Sequence, residues 1–414
     1  MVNVIRIAAR NLWRYQRRTL LTTLLIALGI LAVLLFEGVA GSFKHLMIGQ
    51  ITDSMLGHLQ VHRRGYVASI ESLPLNLNLK PAQVERLNGA LGRLPAVEAW
   101  SARVKFGAIF SNFTETTSIR LMGVDPEAEA RTVPQLRSRL VNGAPEGPLL
   151  SPGKLLVPEL LARGLKVQVG DTVVLVATNQ DGSVNGETLV VGGILASATG
   201  PGGRDGYLHI DDARRLLRMT EAEVSEVAVR LRSPDDLRAT VAALTAALGE
   251  AVNPRGQPVF EVHSWEALSP FVNIARMIDL MNVFIQVMLI AVVLISIMNV
   301  MMMAVFERVR EIGTIAAIGT QPLRILSLFV AEGLLLGLLG TAVGTVISLT
   351  ALWGLNAAHL SFEFGRETLI LSPYVQAGDV LFIGALAVAA AALASLQPAL
   401  RASRMDPIEA LHHV

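Results

Sequence analysis

The chain has no cysteine, and its charges nearly cancel, leaving a formal net charge of +1 over 414 residues. The missing thiols remove disulfides, thiol catalysis and thiolate metal sites, and say little about compartment. The charge balance gives no global attraction to a polyanion, so nucleic acid is not an expected partner. Histidines offer no metal set. His58 and His62 sit four apart in an alternating, strand-like stretch without a carboxylate companion, and His412-His413 is a two-residue tail. No Ser/His/Asp arrangement has motif-level support. Catalytic, cofactor-binding and metal residues are therefore expected to be none.

Two glycine-rich stretches imitate nucleotide loops without their chemistry. Gly147 to Lys154 (GPLLSPGK) resembles a phosphate loop, but five residues separate its glycines instead of four. Leu155 also stands where a Ser or Thr would hold magnesium. Thr199 to Gly206 (TGPGGRDG) has no GxGxxG spacing. Both read as loops. With no nucleotide site of its own, the chain must borrow any energy it uses, so it is expected not to be an enzyme.

What the sequence has in excess is apolar residues: 52% are hydrophobic and the mean hydropathy is +0.51, which makes membrane embedding the first expectation. The excess concentrates near 20–41, 280–306, 326–354 and 378–397, while 45–275 reads as an ordinary globular stretch. That stretch is long enough to bury a core without disulfides. The first apolar run, 20–36, is longer than a signal-peptide core of about 7–15 residues. Glu37 also precedes the candidate cleavage site Val39-Ala40-Gly41. The run reads as an uncleaved anchor.

Each run is long enough to cross a hydrocarbon core of about 30 Å. Arg6, Arg10, Arg14, Arg17 and Arg18 precede the first. By the positive-inside rule that end is cytoplasmic. Arg308, Arg310 and Arg324 follow the second, and Arg401 and Arg404 the fourth, so all flanking basic clusters fall on one side. The expected organisation is a cytoplasmic amphipathic helix at 1–18, a first span at 19–41, and an extracytoplasmic domain at 42–276. A stalk and second span follow at 277–306, then a cytoplasmic coupling segment at 307–324. The third span is 325–355, the external loop 356–377, the fourth span 378–397, and the cytoplasmic tail 398–414. Arg6, Arg10 and Arg14 share one helix face, with Ile5, Ala8, Ala9, Leu12 and Trp13 around the rest. That pattern reads as a helix lying on the inner leaflet; a few basic stop signals would set the same orientation.

In the large domain, helix-period and alternating stretches succeed each other twice, once over 57–108 and again over 211–262. Between them, about 154–206 reads as all-β, with Gly170-Asp171 and 179–186 as turns. The expected fold is membrane α-helical, with four transmembrane helices. Its α+β extracytoplasmic domain would have two βαβ-like lobes and a small inserted β-subdomain.

The segment 305–319 reads VFERVREIGTIAAIG, followed by Pro322. Val309, Ile312, Ile315 and Ile318 recur every three residues, which we read as one apolar stripe on a short helix stopped by Gly319. Such a stripe fits a groove on a soluble partner, or rests on lipid headgroups as a plain connector. This segment resembles the signature of MacB/FtsX-type ABC transporter permeases, a family that includes the lipoprotein-releasing permeases. The tail 398–411 (PALRASRMDPIEAL) resembles the same family's C-terminal motif, and 165–171 and 207–217 its extracytoplasmic domain.

The resemblance implies a complex of two permeases with two separate ATPase subunits that carry ATP and Mg. The second permease would be a copy or a paralogue. It implies mechanotransmission, and it places ATPase-coupling contacts at Glu307, Arg308, Arg310, Glu311, Ile312, Ile315 and Gly319. Because the chain starts at its amphipathic helix, the ATPase is expected on another polypeptide. The setting is the bacterial inner membrane, multi-pass, with both termini cytoplasmic. The expected function is extraction or export of a hydrophobic or amphipathic substrate, with lipoprotein release toward the outer membrane as the leading case. Ser264 to Pro270 (SWEALSP) resembles the lipoprotein-releasing branch. Efflux of a peptide or antibiotic through a periplasmic adaptor is one alternative. FtsX-like signalling to an extracytoplasmic enzyme is another. Membrane lipid is a further partner.

Gly333, Gly337, Gly340 and Gly344 give small-residue spacings in the third span. They fit either a dimer contact or packing inside one subunit. Glu37 and Glu332 are acids in or near spans and so are candidate substrate or packing positions.

Overall fold

The computed structural model describes residues 2–143, 149–197, 204–359, 361–364, 367–370 and 372–406. The glycine-rich residues 199–203, most of the loop before Leu149, and the tail with His412-His413 lie outside them. The chain divides into a helical unit (Met1–His45, Ala275–Phe364, Thr368–Val414) and a globular unit (Leu46–Ile274, Gly365–Glu367).

The helices are α1 (Val2–Arg14), α2 (Gln16–Ile51), α3 (Pro81–Leu91), α4 (Pro126–Thr132), α5 (Glu159–Gly164) and α6 (Ile210–Leu216). They continue with α7 (Leu237–Gly249), α8 (Trp265–Leu268), α9 (Val272–Glu307), α10 (Val309–Ala317), α11 (Pro322–Ala357) and α12 (Ala377–Ser403). Four of them, α2, α9, α11 and α12, are long and apolar enough to cross a membrane. Each extends beyond the run that hydropathy marks, because backbone hydrogen bonding continues wherever no breaker intervenes. Even Pro398 does not stop α12, although it has no N–H to offer the preceding turn.

In the helical unit, residues four apart stack on one face. Ile26, Ile30 and Leu34 of α2 meet Val293, Ile297 and Met301 of α9, together with Phe329 and Leu336 of α11 and Ala387 and Ala391 of α12. The glycines of α11 are used inside the chain. Gly333 abuts Ser395, and a Cβ at Gly337 would lie 2.5 Å from that of Ala391. One at Gly340 would lie 2.6 Å from the Ile26 Cβ, and one at Gly344 2.9 Å from the Ala27 backbone. The glycine row therefore sets close approach of α11 to α12 and α2.

The globular unit holds β1 (Leu59–Arg63), β2 (Val97–Ser111), β3 (Thr116–Val124), β4 (Leu140–Gly143), β5 (Lys154–Pro158) and β6 (Thr172–Thr178). Then come β7 (Val184–Leu195), β8 (Gly206–His209), β9 (Glu226–Leu231) and β10 (Phe260–Ser264). A short pair, β11 (Ser361–Phe364) and β12 (Glu367–Ile370), lies within the expected external loop. The two βαβ-like halves interleave in space. The order β10-β1-β9-β2, with α3 between β1 and β2 and α7 between β9 and β10, is that of a split βαβ lobe.

The β-rich middle segment is continuous with this lobe. Pairings run β2-β3-β8-β5-β7-β6 and return to β2, so six strands close a ring. Closure removes free edges. It is possible because β2 is long: its first part pairs β9 and its last part β6. Phe110, Leu121, Leu155, Leu175, Leu189 and Leu208 are buried in its core.

Candidate coupling site

The site begins where a helix stops. α9 ends at Glu307, and Arg308 has φ −116° and ψ 18°, outside helical values, before α10 starts. This break turns the Arg308 side chain inward. Its Nη1 donates to Glu332 Oε1 of α11 at 3.0 Å. Its guanidinium also lies 4.5 Å from the Tyr15 ring centroid, a cation–π distance. Asn11 Nδ2 of α1 donates to the same Glu332 oxygen at 2.6 Å. One buried carboxylate thus joins α1, the α9–α10 break and α11. Two further ion pairs flank it, Arg18–Glu307 at 3.2 Å and the exposed Arg14–Glu311 at 3.8 Å.

The node is only partly satisfied. Glu332 Oε2 and Arg308 Nε and Nη2 are buried without a hydrogen-bond partner among the described residues. An orphaned buried polar atom costs about 1–3 kcal/mol.

Beyond Arg308, the stripe read from sequence divides. Val309 and Ile312 are buried, whereas Ile315 is 43% and Ile318 81% exposed. The reason is geometric: a three-residue step falls 60° short of a full turn at 100° per residue, so Val309 and Ile318 face opposite ways. The first pair anchors α10 and the second is displayed, near in sequence to exposed Leu323. Arg310 and Glu311 are on the exposed side. Gly319, at φ 93°, supplies the left-handed residue that ends the helix. The Thr320 N–H reaches the Ile315 carbonyl (3.2 Å) and the Gly319 N–H that of Ala316 (3.0 Å).

The other sequence candidates fall apart from this node. Glu37 is half-buried on α2, and farther along that helix Lys44 pairs with Asp279 of α9 at 2.6 Å. Arg6 and Arg10 are exposed on α1. In the globular unit, His58 Nδ1 accepts the Leu231 N–H at 2.9 Å, and His62 Nε2 lies 3.4 Å from Glu226. No group of three or more His, Asp or Glu among the described residues could hold a metal. Sequence reasoning missed Asn11, Tyr15 and Arg18. A signal was available for the first two: they share a helix side with Ala8 and Leu12, so a polar and an aromatic residue sit in the stripe that packs inward.

Four long apolar helices, a large mixed α/β unit and a short displayed helix define a multi-pass membrane permease. The model for the MacB-like periplasmic core domain matches residues 19–247, and that for the FtsX-like permease C-terminal matches 283–407. The chain belongs to the MacB/FtsX-type ABC transporter permeases, with relatives in the LolC branch. One is the lipoprotein-releasing system transmembrane protein LolC of Neisseria meningitidis, 25% identical over 94% of this chain and 92% of that protein. Another is the macrolide export ATP-binding/permease protein MacB of Nitrobacter winogradskyi, 39% identical over 28% of this chain and 17% of that protein. Among solved structures, the periplasmic region of MacB from Actinobacillus actinomycetemcomitans aligns at 11% identity and TM-score 0.35, over 53% of this chain and 92% of that one.

Proposed function

We propose that this chain is the membrane half of an inner-membrane transporter that relays ATPase motion to a substrate outside the inner membrane, with lipoprotein release as the leading activity. α10 carries the reading. Its buried half is tied to the span bundle, while Ile315, Ile318 and Glu311 project from it. An anchored helix with a displayed apolar edge fits a groove on a soluble ATPase subunit. The arginines at 6–18, 308–310, 324 and 401–404 then lie on the cytoplasmic side together with both termini. Two permeases would work with two ATPase subunits. Lipoprotein release is favoured because similarity to the Neisseria LolC extends over both units of the chain.

Efflux is the second reading, favoured by the higher but local identity to MacB. Native mass spectrometry of the complex isolated from its own membrane separates the two. A bound ATPase subunit with acylated protein supports release, and a periplasmic adaptor without cargo supports efflux. A bound extracytoplasmic hydrolase would point instead to signalling. Absence of any ATPase subunit would overturn the coupling reading itself.

A further inference from the structure

We propose that α1 is a docking surface for anionic phospholipid headgroups. The helix has three sectors. Val4, Ala8, Asn11 and Leu12, with Tyr15 just past its end, form the first. Ala8 and Leu12 are buried, and Asn11 holds Glu332 of α11. This sector fixes the rotation of α1 within the helical unit. Ile5, Ala9 and Trp13, each four apart, form the second; Ile5 is 53% and Trp13 78% exposed. Arg6, Arg10 and Arg14 form the third, also four apart and all exposed.

The adjacency of the last two sectors identifies the occupant. An exposed tryptophan and isoleucine are poorly placed in water, and an apolar strip beside a basic strip matches the boundary between acyl chains and headgroups. α1 is separated by one residue from α2, a helix fit to cross the membrane. It is therefore tethered at a lipid surface, where lipid outcompetes a diffusing acidic protein. The apolar strip would accept any phospholipid. The arginines select net negative charge, because each cation near the surface gains about 1 kcal/mol from an anionic headgroup, whereas a choline offsets the phosphate of a zwitterionic one. No acidic residue precedes Glu37 in the chain. Arg6 and Arg10 form no ion pair among the described residues, and Arg14 pairs with the exposed Glu311 at 3.8 Å and lies 5.9 Å from the Tyr15 ring centroid. The surface thus has uncompensated charge of the sign an anionic headgroup needs. This goes beyond the coupling reading and stands without it.

The test uses the full chain alone, exchanged into nanodiscs of equimolar phosphatidylglycerol and phosphatidylcholine, then partly delipidated. Retained lipids are counted by native mass spectrometry. Phosphatidylglycerol should be retained over phosphatidylcholine, with the preference falling by about fivefold per arginine removed at low salt. R6Q/R10Q/R14Q should lose most of it, and R6K/R10K/R14K should keep most. If the triple glutamine variant does not fold, the single Arg10→Gln change carries the comparison. Equal retention by the wild type, or an unchanged preference in the glutamine variants, would overturn the proposal. So would displacement of the lipid by excess inorganic phosphate, which would mark a site for small anions.

Discussion

The guanidinium of Arg308 and the carboxylate of Glu332 meet at 3.0 Å, with side-chain exposures of only 6% and 1%. A pair so withdrawn from water is held less by its own net energy than by the penalty for breaking it. Glu332→Ala strands a buried cation and should destabilise the chain by about 3–5 kcal/mol, read as a lower unfolding midpoint in detergent. Replacing both residues by methionine should recover most of that loss. A single variant as stable as the wild type would mean that the pair does not hold the node.

Glu311 differs from Glu332 in being exposed, and its pairing with Arg14 is long at 3.8 Å. Such pairs contribute about 0–1 kcal/mol. Glu311→Lys should therefore leave membrane insertion and unfolding nearly unchanged. Ile315→Asp should do the same, since that side chain is already 43% exposed. Both should weaken ATPase binding or uncouple hydrolysis from transport. Co-purification and transport-stimulated ATP turnover measure this, and normal values in both variants would remove α10 from the interface.

The glycines of α11 predict effects of opposite sign within one helix. Gly337→Ala drives a methyl to 2.5 Å from Ala391, and such overpacking costs about 1–3 kcal/mol. Gly354 has nothing within 4 Å of the same position. Gly354→Ala should stabilise by about 0.5–1 kcal/mol through helix propensity. Thermal unfolding of the two variants side by side tests whether the row is packed inside the chain.

The features legible in the sequence were those with local signals. Apolar length gave the four long helices, and Gly319 gave the end of α10. Glu332 was recognisable as an unusual acid. Its partners were not, because Arg308 is 24 and Asn11 321 residues away and no local pattern encodes such a meeting. Strand identities were readable at 57–63 and 172–195, yet the ring they close was not. Closure depends on β2 changing partner along its length, a choice made by long-range register. Four charged residues of the globular core, Arg103, Lys105, Glu129 and Glu226, look like ordinary surface charges until the fold collects them.

That collection sets an acid limit on the globular unit. Arg103 contacts Glu129 at 2.7 Å and Glu226 at 3.1 Å, while Lys105 contacts Glu226 at 2.9 Å. Burial alone would raise the Glu226 carboxyl, but Lys105, His62 and Arg103 together outweigh it and hold the group well below the usual carboxylate range. A carboxylate depressed on folding stabilises fully above its unfolded value of about 4.3 and loses that contribution as the pH falls further. The full chain should therefore lose stability as the pH drops from about 5 downward. Glu226→Gln removes the charge facing two buried cations, so it should lower stability at neutral pH by about 3–5 kcal/mol. It should also flatten the acid slope, because nothing at that position is left to titrate. Unfolding of both proteins followed by tryptophan fluorescence across pH gives the comparison. Identical acid slopes would place the pH dependence elsewhere than Glu226.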